Sequence, residues 1–156
     1  MNRPSKTTTM SSWKKIFPTI AIFFSGAVLT FSGVVKVVSA TTNVGILSEA
    51  DPILHLSYRQ VFLGVGFLEA IVVVVFLSGT SQKLKLLLGA GLSTNFLLYR
   101  LGMLWLGHTH VCPCLGNAAD WLHLSAGDFD ILTKTALAGL LLVSYCGLAM
   151  LHESNQ

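Results

Sequence analysis

The residues best suited to chemistry lie in one short stretch, which runs from His108 to Gly116 and reads HTHVCPCLG. His108, His110, Cys112 and Cys114 fall within seven residues of one another. Cysteine thiolates are the nucleophiles of thiol–disulfide exchange, and both cysteine and histidine bind metal ions. These residue types therefore indicate either thiol redox chemistry or a metal site.

The redox interpretation rests on Cys112 and Cys114, which are separated by a single proline. A disulfide between them closes a small, strained ring, and strained, exposed disulfides are the labile ones that exchange electrons. His108 and His110 could stabilise a thiolate if they are protonated and close to it. Gly116 lets the chain reverse direction directly afterwards. The sequence therefore favours Cys112 and Cys114 as a catalytic pair, and the chain as a candidate thiol–disulfide oxidoreductase.

The metal interpretation uses the same four side chains. His108, His110, Cys112 and Cys114 together offer two nitrogens and two sulfurs, a set compatible with zinc or copper. Their spacing of every second residue argues against it, because zinc sites usually separate two ligand pairs by a longer gap. An inert loop remains the third alternative. No cofactor is evident. A bundle of membrane helices could hold a quinone, although no motif in the sequence marks a quinone site.

The elements that must position this stretch are membrane helices. Hydrophobic residues make up 53% of the 156-residue chain and charged residues only 11%, whereas a soluble domain has roughly a quarter charged residues. Most apolar residues fall in four long blocks, each near the roughly 20 residues that cross a bilayer. The sequence therefore predicts an all-α, integral membrane four-helix bundle, whose first partner is the lipid bilayer. Its small positive charge does not indicate a nucleic-acid partner, and its oligomeric state is not indicated.

The blocks predict one four-helix domain over residues 16–151, preceded by a disordered tail at 1–15. The first apolar run is longer than the 7–15 apolar residues of a cleaved signal peptide, so we expect an uncleaved helix. The predicted helices cover about 16–38, 58–77, 84–106 and 131–151, and residues 107–130 form the loop that holds the cysteines.

Lysine and arginine give the expected orientation. They concentrate in the N-terminal tail and in the turn after the second helix, whereas the other two connections carry mostly acids. The positive-inside rule then places both termini in the cytoplasm, with the 107–130 loop outside a bacterial inner membrane. Disulfides persist in the periplasm. We therefore expect a periplasmic thiol or disulfide protein as the partner.

Charged residues within the blocks are functional candidates, because a charge at membrane depth is costly. Glu69 lies near the centre of the second block and must pair, accept hydrogen bonds or stay protonated. It could serve as a polar clamp between helices or as a proton or ligand site. The sequence does not choose among four candidate neighbours for it, which are Ser25, Ser32, Asn95 and Tyr99.

Lys36 and Arg100 lie closer to the outer ends of the first and third blocks. Each could reach the interface along its flexible side chain or support the site instead. Cys146 stands alone in the fourth block, and we expect it to be a small buried residue rather than a reactive thiol.

The order of these motifs resembles the methylamine-utilisation membrane protein family (MauE-like), within a broader DoxX-like group. Members look like four-helix membrane bundles with a Gly-x-x-Lys pattern closing the first helix, a glutamate in the second and Cys-x-Cys-[Phe/Leu]-Gly in the outer loop. The resemblance covers about residues 16–150, and its matches are Lys36, Glu69, Cys112, Cys114 and Gly116.

The resemblance implies electron transfer or disulfide handling during the maturation of periplasmic proteins. In the methylamine system it implies support for the disulfide-rich small subunit of methylamine dehydrogenase. His108 and His110 are additions to the family pattern, and Pro113 stands where a small residue is expected.

Overall fold

The structure is a computed structural model, and it describes residues 7–41, 45–107 and 126–154. Within these ranges the chain forms four α-helices and no strand, which confirms the all-α bundle. The helices are α1 (Thr7–Thr41), α2 (Tyr58–Leu77), α3 (Gln82–Trp105) and α4 (Ala126–Ser154), and a short 3-10 helix (Gly45–Ser48) lies between the first two.

Three of the described helices are long and apolar enough to cross a membrane, over Ile16–Thr41, Tyr58–Leu77 and Asp130–Glu153. The third helix, α3, is 24 residues long, and its charged residues, Lys83, Lys85 and Arg100, lower its apolar content. The bundle is thus a membrane protein, while a spanning role for α3 stays a prediction.

The first helix extends further towards the N-terminus than hydropathy indicated. We predicted a disordered tail at 1–15. Its residues 1–6 lie outside the described ranges, whereas the chain is helical from Thr7 onwards, so Pro18 lies inside α1. Residues 7–15 are mostly Ser, Thr and Lys, without glycine or proline. Their polarity marks where an apolar span begins, but it does not end a helix, because proline and glycine are the residues that break one.

The two ends of the bundle differ in construction. At one end, here the turn end, residues 78–81 join α2 to α3. Lys85 Nζ donates hydrogen bonds of 2.6 Å to the carbonyl oxygens of Phe76 and Ser78. These bonds satisfy carbonyl groups that have no partner within the last turn of α2. Ser81 Oγ accepts from Leu84 N at 3.4 Å and caps α3. The opposite end, here the loop end, carries the 45–57 connection and the ends of α1 and α3.

Two apolar clusters fill the described interior, and they lie at different depths. The inner cluster consists of Leu29, Val72, Phe76, Leu92 and Leu140. The loop-end cluster consists of Ala40, Leu47, Tyr58, Phe62 and Met103. Along α1 and along α2, the polar residues 32, 36 and 69 fall between these clusters. A polar layer therefore lies within the bundle with apolar packing above and below it.

Candidate functional site

The polar layer is built around an ion pair between α1 and α2. Lys36 Nζ donates to Glu69 Oε1 at 2.6 Å and to Ser32 Oγ at 2.6 Å, while Ser32 Oγ donates to the same Glu69 oxygen at 3.1 Å. Lys36 is 7% exposed and Glu69 is 0% exposed. We call Ser32, Lys36 and Glu69 the ion-pair layer. Of the two alternatives for Lys36, the structure shows a buried, paired ammonium rather than one that reaches the interface.

The third helix also contributes to this layer. The Lys36 ammonium lies over the ring of Phe96 on α3, with 4.9 Å between Nζ and the ring centroid. A cation at this distance from an aromatic face is attracted by the negative potential of the ring. The charge of Lys36 is therefore compensated from two helices, by the carboxylate of Glu69 and by Phe96.

Two glycines bring α1 and α2 close enough for the ion pair to form. A Cβ at Gly66 would lie 2.9 Å from Val37 Cγ2 and 3.4 Å from the Gly33 carbonyl oxygen. A Cβ at Gly33 would lie 3.3 Å from Glu69 Oε2. Small residues at a helix contact permit this approach inside a membrane. The close packing and the ion pair therefore depend on each other.

The second carboxylate oxygen of Glu69 is the least satisfied atom of the layer. Oε1 accepts both hydrogen bonds, whereas Oε2 is buried and has no hydrogen-bond partner among the described residues. A buried carboxylate oxygen without a donor is unfavourable. The arrangement can hold α1 and α2 in register, and Oε2 offers a place for one proton or one small donor.

The 45–57 connection is fastened over the loop end by Asp51. Asp51 is 0% exposed, and its Oδ1 accepts from the backbone N–H groups of Ile53 and Leu54, both at 2.8 Å. Its Oδ2 accepts a hydrogen bond from the hydroxyl of Tyr99 on α3. By sequence alone, Asp51 is only one of the acids of the 45–57 connection. The pattern Asp51-Pro52 in a loop is a turn signal that could have singled it out.

The fastened connection packs directly on α3 and covers the ion-pair layer from the loop end. A Cβ at Gly102 would lie only 3.0 Å from Ile53 Cδ1. Leu47 and Tyr58 from this region are buried against Met103 in the loop-end cluster. The ion-pair layer is therefore separated from the loop end by a packed apolar cover.

A second ion pair joins α3 to α4 at the loop end. Arg100 Nη2 donates to Asp130 Oδ1, and Lys134 Nζ lies 2.5 Å from Asp130 Oδ2. The Arg100 side chain is 14% exposed and that of Asp130 is 25% exposed. Arg100 thus pairs within the bundle. Asp130 was not among the predicted site residues, and an acid opening an apolar block is the signal that marks it.

The predicted chemical residues lie outside the described ranges. His108, His110, Cys112, Cys114 and Gly116 all fall between 107 and 126, so the thiol pair and the four-ligand metal site stay predictions. Within the described ranges no group of three or more His, Cys, Asp or Glu side chains is placed to hold a metal ion. A bound quinone likewise stays a prediction.

Of the four expected neighbours of Glu69, one makes a hydrogen bond with it. Ser32 contacts it, whereas Asn95 is exposed and Tyr99 bonds Asp51 instead. Ser25 is buried, and its Oγ makes no hydrogen bond to Glu69 or to any other described residue. Lys36, which forms the ion pair with Glu69, was not among these four candidates.

The expectation for Cys146 is wrong, because its side chain is exposed on α4 rather than buried. Its neighbours in sequence are apolar, so hydropathy alone did not reveal which face of α4 it occupies. Cys146 lies on the outer surface of the described bundle, within the apolar span of α4. Cys146 is therefore a useful control thiol, away from both ion pairs.

Comparison with known families gives one match. A family model described as methylamine utilisation protein MauE matches residues 14–151, which include every candidate residue named above. No curated protein and no solved structure matches the chain. The match confirms the MauE-like resemblance, whereas the broader DoxX-like grouping stays a prediction.

Proposed function

The chain belongs to the MauE family of methylamine utilisation proteins, and from this premise we propose that it is a membrane accessory protein whose Cys112 and Cys114 exchange disulfides with a partner protein outside the inner membrane. The family description supports the role in methylamine utilisation. The thiol chemistry is our own addition. By the resemblance, the partner is a disulfide-rich periplasmic protein such as the small subunit of methylamine dehydrogenase.

The observation that carries the proposal is the Arg100–Asp130 pair. Arg100 precedes residues 108–125 and Asp130 follows them, so the pair joins the two helices from which the cysteine-containing segment starts and ends. Both flanks of Cys112 and Cys114 are thereby held at the loop end, on adjacent helices. A thiol pair that must meet a soluble partner needs such attachment at the membrane surface.

Thiol–disulfide exchange between Cys112, Cys114 and a partner needs no further electron donor or acceptor. When the chain reduces its partner, the Cys112 thiolate attacks a partner disulfide, forms a mixed disulfide and releases one partner thiolate. The Cys114 thiolate then attacks the Cys112 sulfur, which forms the Cys112–Cys114 disulfide and releases the second partner thiolate. Two electrons have then passed to the partner, and its thiolates take up the protons that the two cysteines gave up. The reverse sequence oxidises a partner dithiol.

The ion-pair layer acts as a clamp in this proposal. Its 2.6 Å contact between Lys36 Nζ and Glu69 Oε1 joins α1 to α2 beneath the apolar cover. Removing one partner of a buried ion pair leaves the other charge uncompensated, so such a pair fixes helix register. Lys36 and Glu69 thus support the site by holding the bundle that carries it.

The direct test is differential alkylation in intact cells. A membrane-impermeant maleimide is added first, and a second maleimide of different mass is added after reduction and denaturation. We expect part of the Cys112 and Cys114 population to be protected from the first reagent as a disulfide, with both thiols titrating together against a redox buffer. The free thiols should react from outside the cell. Cys146, exposed on a helix within the membrane span, serves as the internal control.

Three outcomes would contradict the proposal. Thiols that titrate independently, or that stay reduced at every potential tested, exclude a cycling pair and favour a membrane scaffold. Labelling only after permeabilisation would place the segment on the cytoplasmic side, which reverses the predicted orientation. Protection that a chelator relieves, but a reductant does not, would favour the metal site of His108, His110, Cys112 and Cys114 instead.

A further inference from the structure

A cavity lies at the turn end, between the first turn of α3 and the last turns of α4. Its volume is about 230 Å³, and it is lined by Gln82, Lys83, Leu148, Leu151 and His152. It lies at the opposite end of the bundle from Arg100 and Asp130. None of its lining residues takes part in the proposed thiol chemistry.

The lining divides into an apolar part and a basic, hydrogen-bonding part. Leu148 and Leu151 belong to the apolar span of α4, whereas Gln82, Lys83 and His152 lie at helix ends. Glu153, the acid next in sequence, does not line the cavity. A pocket of this composition matches a molecule with an anionic head and an apolar tail.

Lys83 differs from its neighbour Lys85 in what it contacts. Lys85 Nζ is held by two carbonyls at the end of α2. Lys83 is exposed, and within the described residues its ammonium has neither a hydrogen-bond acceptor nor an ion-pair partner. Lys85 therefore caps a helix, and Lys83 is the ammonium available to an external anion.

The depth of the cavity identifies the source of that anion. The apolar span of α4 ends at Glu153, so residues 148–152 lie where the hydrocarbon gives way to lipid headgroups. Basic pockets between helices at this depth bind anionic phospholipid headgroups. We propose that this cavity binds an anionic phospholipid, with its phosphate at Lys83 and an acyl chain along Leu148 and Leu151.

The test uses the full chain, purified in mild detergent and titrated with phosphatidylglycerol or phosphatidylcholine during native mass spectrometry. Phosphatidylglycerol should bind more tightly than phosphatidylcholine. Because one lysine near a membrane surface contributes roughly a fivefold difference in affinity, Lys83→Gln should weaken phosphatidylglycerol binding by about that factor. The matched control is Lys134→Gln, which removes the same charge at the loop end and should leave binding unchanged.

A second variant tests the apolar wall without changing any charge. Leu148→Trp fills the cavity and should also weaken phosphatidylglycerol binding, with helix content checked by circular dichroism. If Lys83→Gln binds the lipid as the wild type does, or Lys134→Gln weakens it equally, the proposal is wrong. Competition by inorganic phosphate at millimolar concentration would also overturn it, because a free anion gains nothing from the leucine wall.

Discussion

Tyr99 and Arg100 are consecutive residues of α3, and each fastens a different part of the loop end. Tyr99 donates to Asp51 and holds the 45–57 connection, while Arg100 donates to Asp130 and holds the start of α4. One turn of α3 therefore anchors both connections at this end. A shift of that turn would disturb the apolar cover and the flank of the cysteine segment together.

The first prediction concerns the Tyr99 hydroxyl. Tyr99→Phe leaves Asp51 Oδ2 buried without its donor, which costs about 2 kcal/mol. We expect a lower free energy of unfolding, together with faster hydrogen exchange at the amides of Ile53 and Leu54, because both donate to the other Asp51 oxygen at 2.8 Å. Hydrogen exchange with mass spectrometry on the detergent-solubilised chain reports both effects.

The matched control for Tyr99→Phe is Tyr145→Phe. Tyr145 OH also makes one hydrogen bond, at 2.9 Å to Thr94 Oγ1, but Tyr145 is exposed. Its removal should therefore change stability little and leave the 45–57 amides protected. Equal exchange at Ile53 and Leu54 in wild type and Tyr99→Phe would show that Asp51 alone holds the connection.

The second prediction compares two glycines of α2. Gly66→Ala places a Cβ 2.9 Å from Val37 Cγ2, so α1 and α2 must separate or a side chain must shift. We expect a loss of about 1–3 kcal/mol, the range seen for overpacked interiors. Gly64→Ala meets nothing within 4 Å and should be neutral or slightly stabilising, because alanine favours the helix. Thermal unfolding of both variants in one detergent makes the comparison, and equal melting temperatures would contradict close packing at Gly66.

The fold was predictable because hydropathy reports long apolar blocks directly. The second block was predicted at about 58–77, and α2 spans Tyr58–Leu77. The start of α1 at Thr7 was not predictable in this way, since polar residues without glycine or proline continue a helix unnoticed. Hydropathy indicates which residues can lie in the membrane, but it does not indicate where a helix ends in water.

The contacts of the candidate site were less predictable, because they depend on helix register. The sequence identified Lys36 and Glu69 separately, and only the packing of Gly33 against Gly66 brings their side chains together. The role of Asp130 likewise depends on its meeting Arg100 across two helices. Spacing within one segment cannot give the register between segments. For Cys112 and Cys114, the sequence remains the source of the hypothesis.

The third prediction concerns the ion-pair layer. Glu69→Leu leaves the Lys36 ammonium buried without its carboxylate and should cost about 3–5 kcal/mol. Glu69→Gln keeps an acceptor for Lys36 and Ser32, so it should be better tolerated. Thermal unfolding ranks the variants, and equal tolerance of both would remove Glu69 from the set of supporting residues.

A double variant separates the clamp from a chemical role. Replacing both partners, as Lys36→Met with Glu69→Leu, removes the uncompensated charge and should recover stability to within about 1 kcal/mol of wild type. If Lys36 and Glu69 act only as a clamp, thiol exchange should recover with it. Recovered stability with lost exchange would instead assign the pair a part in the chemistry, with Glu69 Oε2 as the open position.

The last prediction concerns the division of roles between the two cysteines. Exchange proceeds through a mixed disulfide, so removing the resolving thiol should trap the partner covalently. We expect Cys114→Ser to accumulate a higher-mass species that a reductant releases, because His108 and His110 lie on the Cys112 side of the pair in sequence and favour Cys112 as the attacking thiol. Both Cys112→Ser and Cys114→Ser should lose exchange, whereas Cys146→Ser should retain it, since that thiol lies exposed on α4. Membranes prepared without reductant and separated by non-reducing electrophoresis show the adduct. If neither single variant traps a partner and the Cys112→Ser/Cys114→Ser double variant supports methylamine utilisation fully, the redox proposal is wrong and a non-catalytic membrane scaffold replaces it.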